Sequence, residues 1–256
     1  MPLDDLVKSA IATALAGGRV ALAHFRDPNL QVETKADGTP VTEGDLRAEE
    51  AALSVLRGLH PGHAILTEET GERAGDPGHR WTLDPIDGTR SYCRGLCAWA
   101  TLVGLVVDGE PTVGAVYAPA LDQLAVAWRG GGAWLNGQPI RVSDRARVED
   151  AVLSIGSLDL LPGLPWGERA FRLMGRAFAC RGFSDAIAHL EVARGHADAM
   201  IDPRGKPWDF APIAILIREA GGRFTSLSGD PGFDQGDALV SNGALHDELL
   251  RALAAG

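Results

Sequence analysis

The chain has 256 residues, 45% hydrophobic and 23% charged, enough for one substantial core or two modest subdomains sharing a cleft. A formal net charge of -10 argues against nonspecific nucleic-acid binding. Three cysteines cannot form a full disulfide set, the N-terminus lacks a basic leader region and no uninterrupted apolar stretch reaches bilayer length, so a cytoplasmic protein with no membrane partner is expected.

Leu3, Leu6, Val7, Ala10, Ile11, Ala14 and Leu15 recur at helical spacing, which predicts an amphipathic helix continuing towards Phe25 despite Gly17 and Gly18. Residues 35–40, with Gly38 and Pro40, read as a loop. Thr42 and Asp45 then have capping-box spacing ahead of a helix running to Arg57. The apolar run 64–66 ends in Thr67-Glu68-Glu69, and a second run ends in Asp84-Pro85-Ile86-Asp87-Gly88-Thr89. Between residues 100 and 142 the texture becomes β-branched, with strands at 100–107, 112–117, 124–128 and 133–135. Asp108-Gly109 and Asn136-Gly137 mark hairpins, which makes this an antiparallel meander. A charged link at 143–150 divides the chain into residues 1–142 and 143–256. The second part alternates: strand 152–155, a Pro/Gly-rich loop at 158–167, helix 168–179, helix 186–194, strand 199–201, helix 213–220, strands 223–226 and 238–241, and a closing helix from His246.

The acidic turn carries chemistry. Magnesium combines one or two carboxylates with water and substrate phosphate oxygens. Asp84 and Asp87 can supply those carboxylates, Pro85 pre-sets the turn, and Gly88 lets the backbone approach a ligand. The N–H groups of Gly88 and Thr89 could then hold a phosphate oxygen. Read locally, the hexapeptide is equally an Asp-rich turn at a strand end. Of Glu68 and Glu69, one reads as a solvated strand end, because neighbouring strand residues face opposite ways. Asp209, ahead of the 213–220 helix, is an N-cap or a metal ligand, and the two roles are compatible. Asp45 is a cap residue or, with Thr89, a pair that polarises a water. Thiolate, aspartyl-phosphate and P-loop signatures are missing, and the histidines lack zinc spacing.

Together, Thr67-Glu68-Glu69, Trp81 to Thr89, the Gly130 to Gly137 hairpin, Trp208-Asp209 and Glu219-Ala220-Gly221-Gly222 resemble, in order, the motifs of the inositol monophosphatase family. The resemblance covers nearly the whole chain. It implies a layered α/β or α+β sandwich of alternating helix and sheet layers, as in the inositol monophosphatase and sugar phosphatase fold. It also implies a magnesium-dependent, lithium-sensitive phosphomonoesterase with two to three Mg2+ ions, a homodimer, and a mobile flap at residues 35–40. Glu68, Asp84 and the Ile86 carbonyl would hold one ion, and Asp84, Asp87 and Asp209 a second. A third would rest on Glu68, while Asp45 and Thr89 orient the nucleophilic water.

Two departures bear on the substrate, a small phosphorylated metabolite. Arg90 follows the acidic motif where the inositol enzymes carry Thr, and Asp185 stands in the 181–189 segment. Both resemble the histidinol-phosphatase branch of the family, which converts L-histidinol phosphate to L-histidinol. A carboxylate at Asp185 suits a cationic substrate, although it also reads as a cap for the helix that follows. Asp202 stands where the family has a longer Glu that contacts substrate, and His189 could line the same pocket. Inositol 1-phosphate is the alternative substrate. A non-catalytic relative that binds a phosphorylated ligand or a protein is the alternative class.

Overall fold

The apolar period of the N-terminus forms α1 (Leu3–His24), and the Thr42 capping box opens α2 (Glu43–Leu59) with both reciprocal hydrogen bonds present. These elements come from a computed structural model that describes residues 3–183 and 185–254. Residues 35–40 lie mostly in the turn of a small antiparallel hairpin, β1 (Val32–Thr34) and β2 (Pro40–Thr42). The Lys35 N–H to Thr39 carbonyl bond of 2.8 Å closes that turn.

Next come β3 (His63–Thr67), β4 (Gly71–Arg73), β5 (Asp76–Asp87) and the short helix α3 (Thr89–Cys93). The meander follows as β6 (Ala100–Val107), β7 (Glu110–Ala118), β8 (Gln123–Trp128), β9 (Gly132–Leu135) and β10 (Gln138–Ile140). Asp108, Gly109, Asn136 and Gly137 all take positive φ, as two-residue hairpin turns matched to strand twist require. The strand order is β10-β9-β8-β7-β6-β5-β3-β4, and β3 with β5 is its parallel pair.

The second half contains β11 (Val152–Ile155), α4 (Gly167–Arg176), β12 (Ala179–Arg181), α5 (Asp185–Ala193), β13 (Ala199–Asp202), α6 (Pro207–Glu219), β14 (Arg223–Thr225), β15 (Ala238–Ser241) and α7 (His246–Leu253). The helix expected to reach residue 179 stops at Arg176. Ala177 turns extended, and residues 179–181 pair with β11 instead. The resulting mixed sheet has the order β12-β11-β13-β15-β14.

Strand alternation distributes the side chains between layers. Trp81, Leu83, Val103 and Leu105 pack with α1 and α2, whereas Leu102 and Val116 pack with α5 and α6. On the second sheet, Met200 and Val240 join α5 and α6, while Leu153, Ile155, Ala199 and Leu239 join α4 and α7. Helix and sheet layers therefore alternate, five in all, as expected. Helix α6 runs very close to the first sheet over the cross-strand pair Gly104 and Gly114. A Cβ at Gly114 would stand 2.5 Å from the Pro212 carbonyl oxygen.

Helix α1 has the length and mean composition that would let a helix cross a bilayer, although Lys8 and Arg19 interrupt its apolar run. It is a buried core helix. Ala10 and Ala14 are fully buried in the cluster that α1 shares with α2 and the sheet.

A buried histidine links the second sheet to α7. His246 Nδ1 lies 2.8 Å from Ser241 Oγ and Nε2 2.9 Å from Thr225 Oγ1, and burial pushes its pKa down to about 4. The folded state prefers the neutral ring, so its contribution is complete above the ordinary value of 6.5 and is lost as pH falls towards 4. Thermal melts should show His246→Gln losing less stability than the parent between neutrality and roughly pH 4.5, by on the order of 2 kcal/mol.

Candidate active site

The ends of β3 and β5 and the first turns of α2, α5 and α6 converge on a cleft of about 750 Å³. Asp84 and Asp87 are three residues apart and would face opposite ways on a regular strand. The β5–β6 register breaks between them, and both carboxylates join one cluster with Asp209. One oxygen from each of the three lies within 4.8 Å of the others. Asp84 Oδ1 also accepts the Ile86 N–H at 2.9 Å, which fixes its rotamer.

Asp209 is at the third position of α6, so it is not the N-cap residue; Lys206 is. Its carboxylate nevertheless accepts the Lys206 N–H at 2.7 Å, so it closes the helix start while facing the cleft. Asp87 does the same for α5, accepting the Ala186 N–H. The cap role suggested for Asp185 thus belongs at that amide to Asp87. Asp185 is the first residue of α5, has a left-handed φ of 58°, and lines the cleft.

Electrostatics describe a site crowded with like charge. Burial, then Glu68, Asp209 and Asp87, push the Asp84 carboxyl well above the usual carboxylate range. Burial, then Asp185 and Asp209, do the same to Asp87. Burial is also the main reason Asp209 rises to about 7 and Asp45 to about 6. A multivalent cation relieves that crowding, and an all-oxygen donor set suits a hard divalent ion.

Glu68 and Glu69 both turn inward, against the expectation that one is solvated. Lys35 Nζ lies 2.7 Å from Glu68 Oε1 and from Glu69 Oε1, bringing the hairpin turn onto the cleft. Burial pushes Glu69 up to about 7. Asp45 is both capping residue and site residue. It accepts the Thr42 N–H at 2.8 Å on Oδ2, while Oδ1 is 3.3 Å from Thr89 Oγ1. Thr89 Oγ1 also lies 3.0 Å from the Ile86 carbonyl, and its single proton serves one acceptor at a time.

Gly88 takes φ 91°, and a Cβ there would meet the Ala98 carbonyl at 2.7 Å and Asp185 Oδ2 at 3.2 Å. Gly88→Ala should lower stability by about 2–4 kcal/mol in urea unfolding, since left-handed backbone and a backbone clash add.

Arg90, on α3, pairs across the cleft with Asp159 at 3.7 Å. His189 Nε2 stands 3.3 Å from Asp202 Oδ2, and its buried Nδ1 has no hydrogen-bond partner among the described residues. Asp202 Oδ1 also accepts the Arg204 N–H at 3.3 Å. All the site residues expected from sequence except Asp45 line this cleft, and Asp45 touches it through Thr89. Sequence reasoning missed Lys35, Glu49 and Asp159. Only Glu49 had a usable signal, its place one helical turn beyond Asp45.

The sequence and fold have close relatives. The chain is 40% identical to a histidinol-phosphatase from Mycobacterium tuberculosis over the whole of both chains. It is 32% identical to an inositol-1-monophosphatase from Mesorhizobium japonicum, covering 99% of this chain and 97% of that protein. The crystal structure of the extragenic suppressor protein suhB from Bartonella henselae superposes with a TM-score of 0.90 at 30% identity, over 98% of this chain and 99% of that one. Residues 3–255 match the inositol monophosphatase family model, and the chain belongs to that family of metal-dependent phosphoric monoester hydrolases.

Proposed function

We propose that the enzyme hydrolyses L-histidinol phosphate to L-histidinol and inorganic phosphate with magnesium. The observation that carries this reading is the carboxylate of Asp185 on the cleft wall beside Gly88 and Asp87, where it can pair with the ammonium of an amino-alcohol phosphate. Arg90 on the opposite wall and similarity to a histidinol-phosphatase along both full lengths support it.

Asp84, Asp87 and Asp209 would hold the metal, with Glu68 and the Ile86 carbonyl completing two to three sites. Bound there, it supplies Lewis acidity and neutralises charge on the phosphoryl oxygens. The chain's own groups do the rest. The Gly88 and Thr89 N–H groups hold a phosphate oxygen at the positive end of a turn. The Thr89 hydroxyl, donating to Asp45, keeps a lone pair with which to accept a hydrogen bond from the attacking water and orient it. His189 and Asp202 form the pocket wall against the rest of the substrate. The same reading takes residues 1–142 and 143–256 as subdomains closing on the cleft of a cytoplasmic homodimer, which light scattering checks.

The deciding experiment is a substrate ranking under saturating magnesium. The value of kcat/KM for histidinol phosphate should exceed that for inositol 1-phosphate by at least about tenfold, a difference of one charged hydrogen bond. The reverse ranking would sink the reading.

A further inference from the structure

Helix α2 reaches the site twice. Asp45 faces Thr89, and one turn later Glu49, 1% exposed, points into the connection between β3 and β4. Glu49 Oε2 accepts the Glu69 N–H and Oε1 the Thr70 N–H, both at 2.9 Å. Two successive backbone amides aimed at one buried carboxylate form an anion nest. This connection begins with Glu68, whose own N–H is bonded to the Leu83 carbonyl at 3.1 Å. The backbone carrying Glu68 is thereby pinned on one side to β5, the strand of Asp84, and on the other to α2.

We propose that Glu49 is a positioning residue of the metal site: by holding the Glu69 and Thr70 amides it fixes the direction of Glu68 and so sets affinity for the divalent ion. This rests on the metal reading above, with Glu68 as a ligand. The argument is one of geometry. A glutamine at this position keeps the shape but turns an NH2 group towards one of the two amides, so donor faces donor and one anchor is lost. Groups that orient a metal ligand from behind are commonly worth 10- to 100-fold in metal affinity.

Calorimetric titration with Mg2+ alone tests this without turnover. Glu49→Gln should bind at least about tenfold more weakly than the parent, while Glu50→Gln, altering an exposed neighbour paired with Arg47, should match the parent. An affinity for Glu49→Gln within about threefold of the parent overturns the proposal while leaving the metal reading intact. A parent that binds no Mg2+ overturns both. Amide exchange on the parent decides the anchoring even where the variant does not fold. The Glu69 and Thr70 amides should exchange at least about 100-fold more slowly than in an unstructured peptide, and free-loop rates overturn it.

Discussion

Asp84→Asn should abolish hydrolysis while making the metal-free protein more stable. Asparagine keeps an oxygen for the Ile86 N–H, so the turn survives, but the charge at the centre of the cluster is gone. Loss of a metal carboxylate should lower kcat by at least about 1,000-fold, equivalent to roughly 4 kcal/mol. The stability effect runs the other way because Asp84 is buried among Glu68, Asp209 and Asp87, and its raised pKa means that folding penalises the ionised form. That penalty is absent on the acid side, where the carboxyl is protonated, and grows as pH rises towards neutrality. In EDTA near neutral pH the variant should melt at least about 3 °C above the parent, corresponding to roughly 1 kcal/mol. Added magnesium should erase the difference. A variant that melts lower in EDTA would show that Asp84 is chiefly a structural residue.

The second large effect is selective. Asp185→Asn should lower kcat/KM for histidinol phosphate by about 10- to 100-fold, the range of a charge-assisted hydrogen bond. Hydrolysis of an uncharged aryl phosphate should stay within about threefold of the parent, because such a substrate has no cation to lose. Parallel steady-state assays on the two substrates measure this split. Equal losses would place Asp185 in the support of α5 or of Asp87, whose pKa it raises.

Much of this molecule was legible from local pattern. The α1 period, the capping box of α2 and the two positive-φ hairpin pairs each follow from spacing or from a residue type that only one conformation accommodates. The acidic cluster was legible through the family resemblance rather than locally, where Asp84 to Thr89 reads equally as a turn and Asp209 as a cap. The less legible features depend on distant partners. Strand β12 is three residues long and exists because β11 offers an open edge; its own sequence continues a helical pattern. Lys35 sits in a turn whose composition says only "loop", and its contact with Glu68 and Glu69 is visible only once the hairpin folds over the cleft. The capping alternative for Asp185 could not be weighed locally, because the amide of Ala186 is reached from Asp87, nearly a hundred positions away.

The close approach of α6 to Gly104 and Gly114 ties catalysis to cooperativity. The helix that brings Asp209 to β5 is also the central slab of the molecule, shared by both sheets. A cation held by Asp84, Asp87 and Asp209 would therefore act as a reversible cross-link between distant parts of the chain, a site the unfolded polymer cannot offer. Ligation would then shift the global unfolding equilibrium rather than a local one. The resting ion concentration would become a variable of folding as much as of turnover.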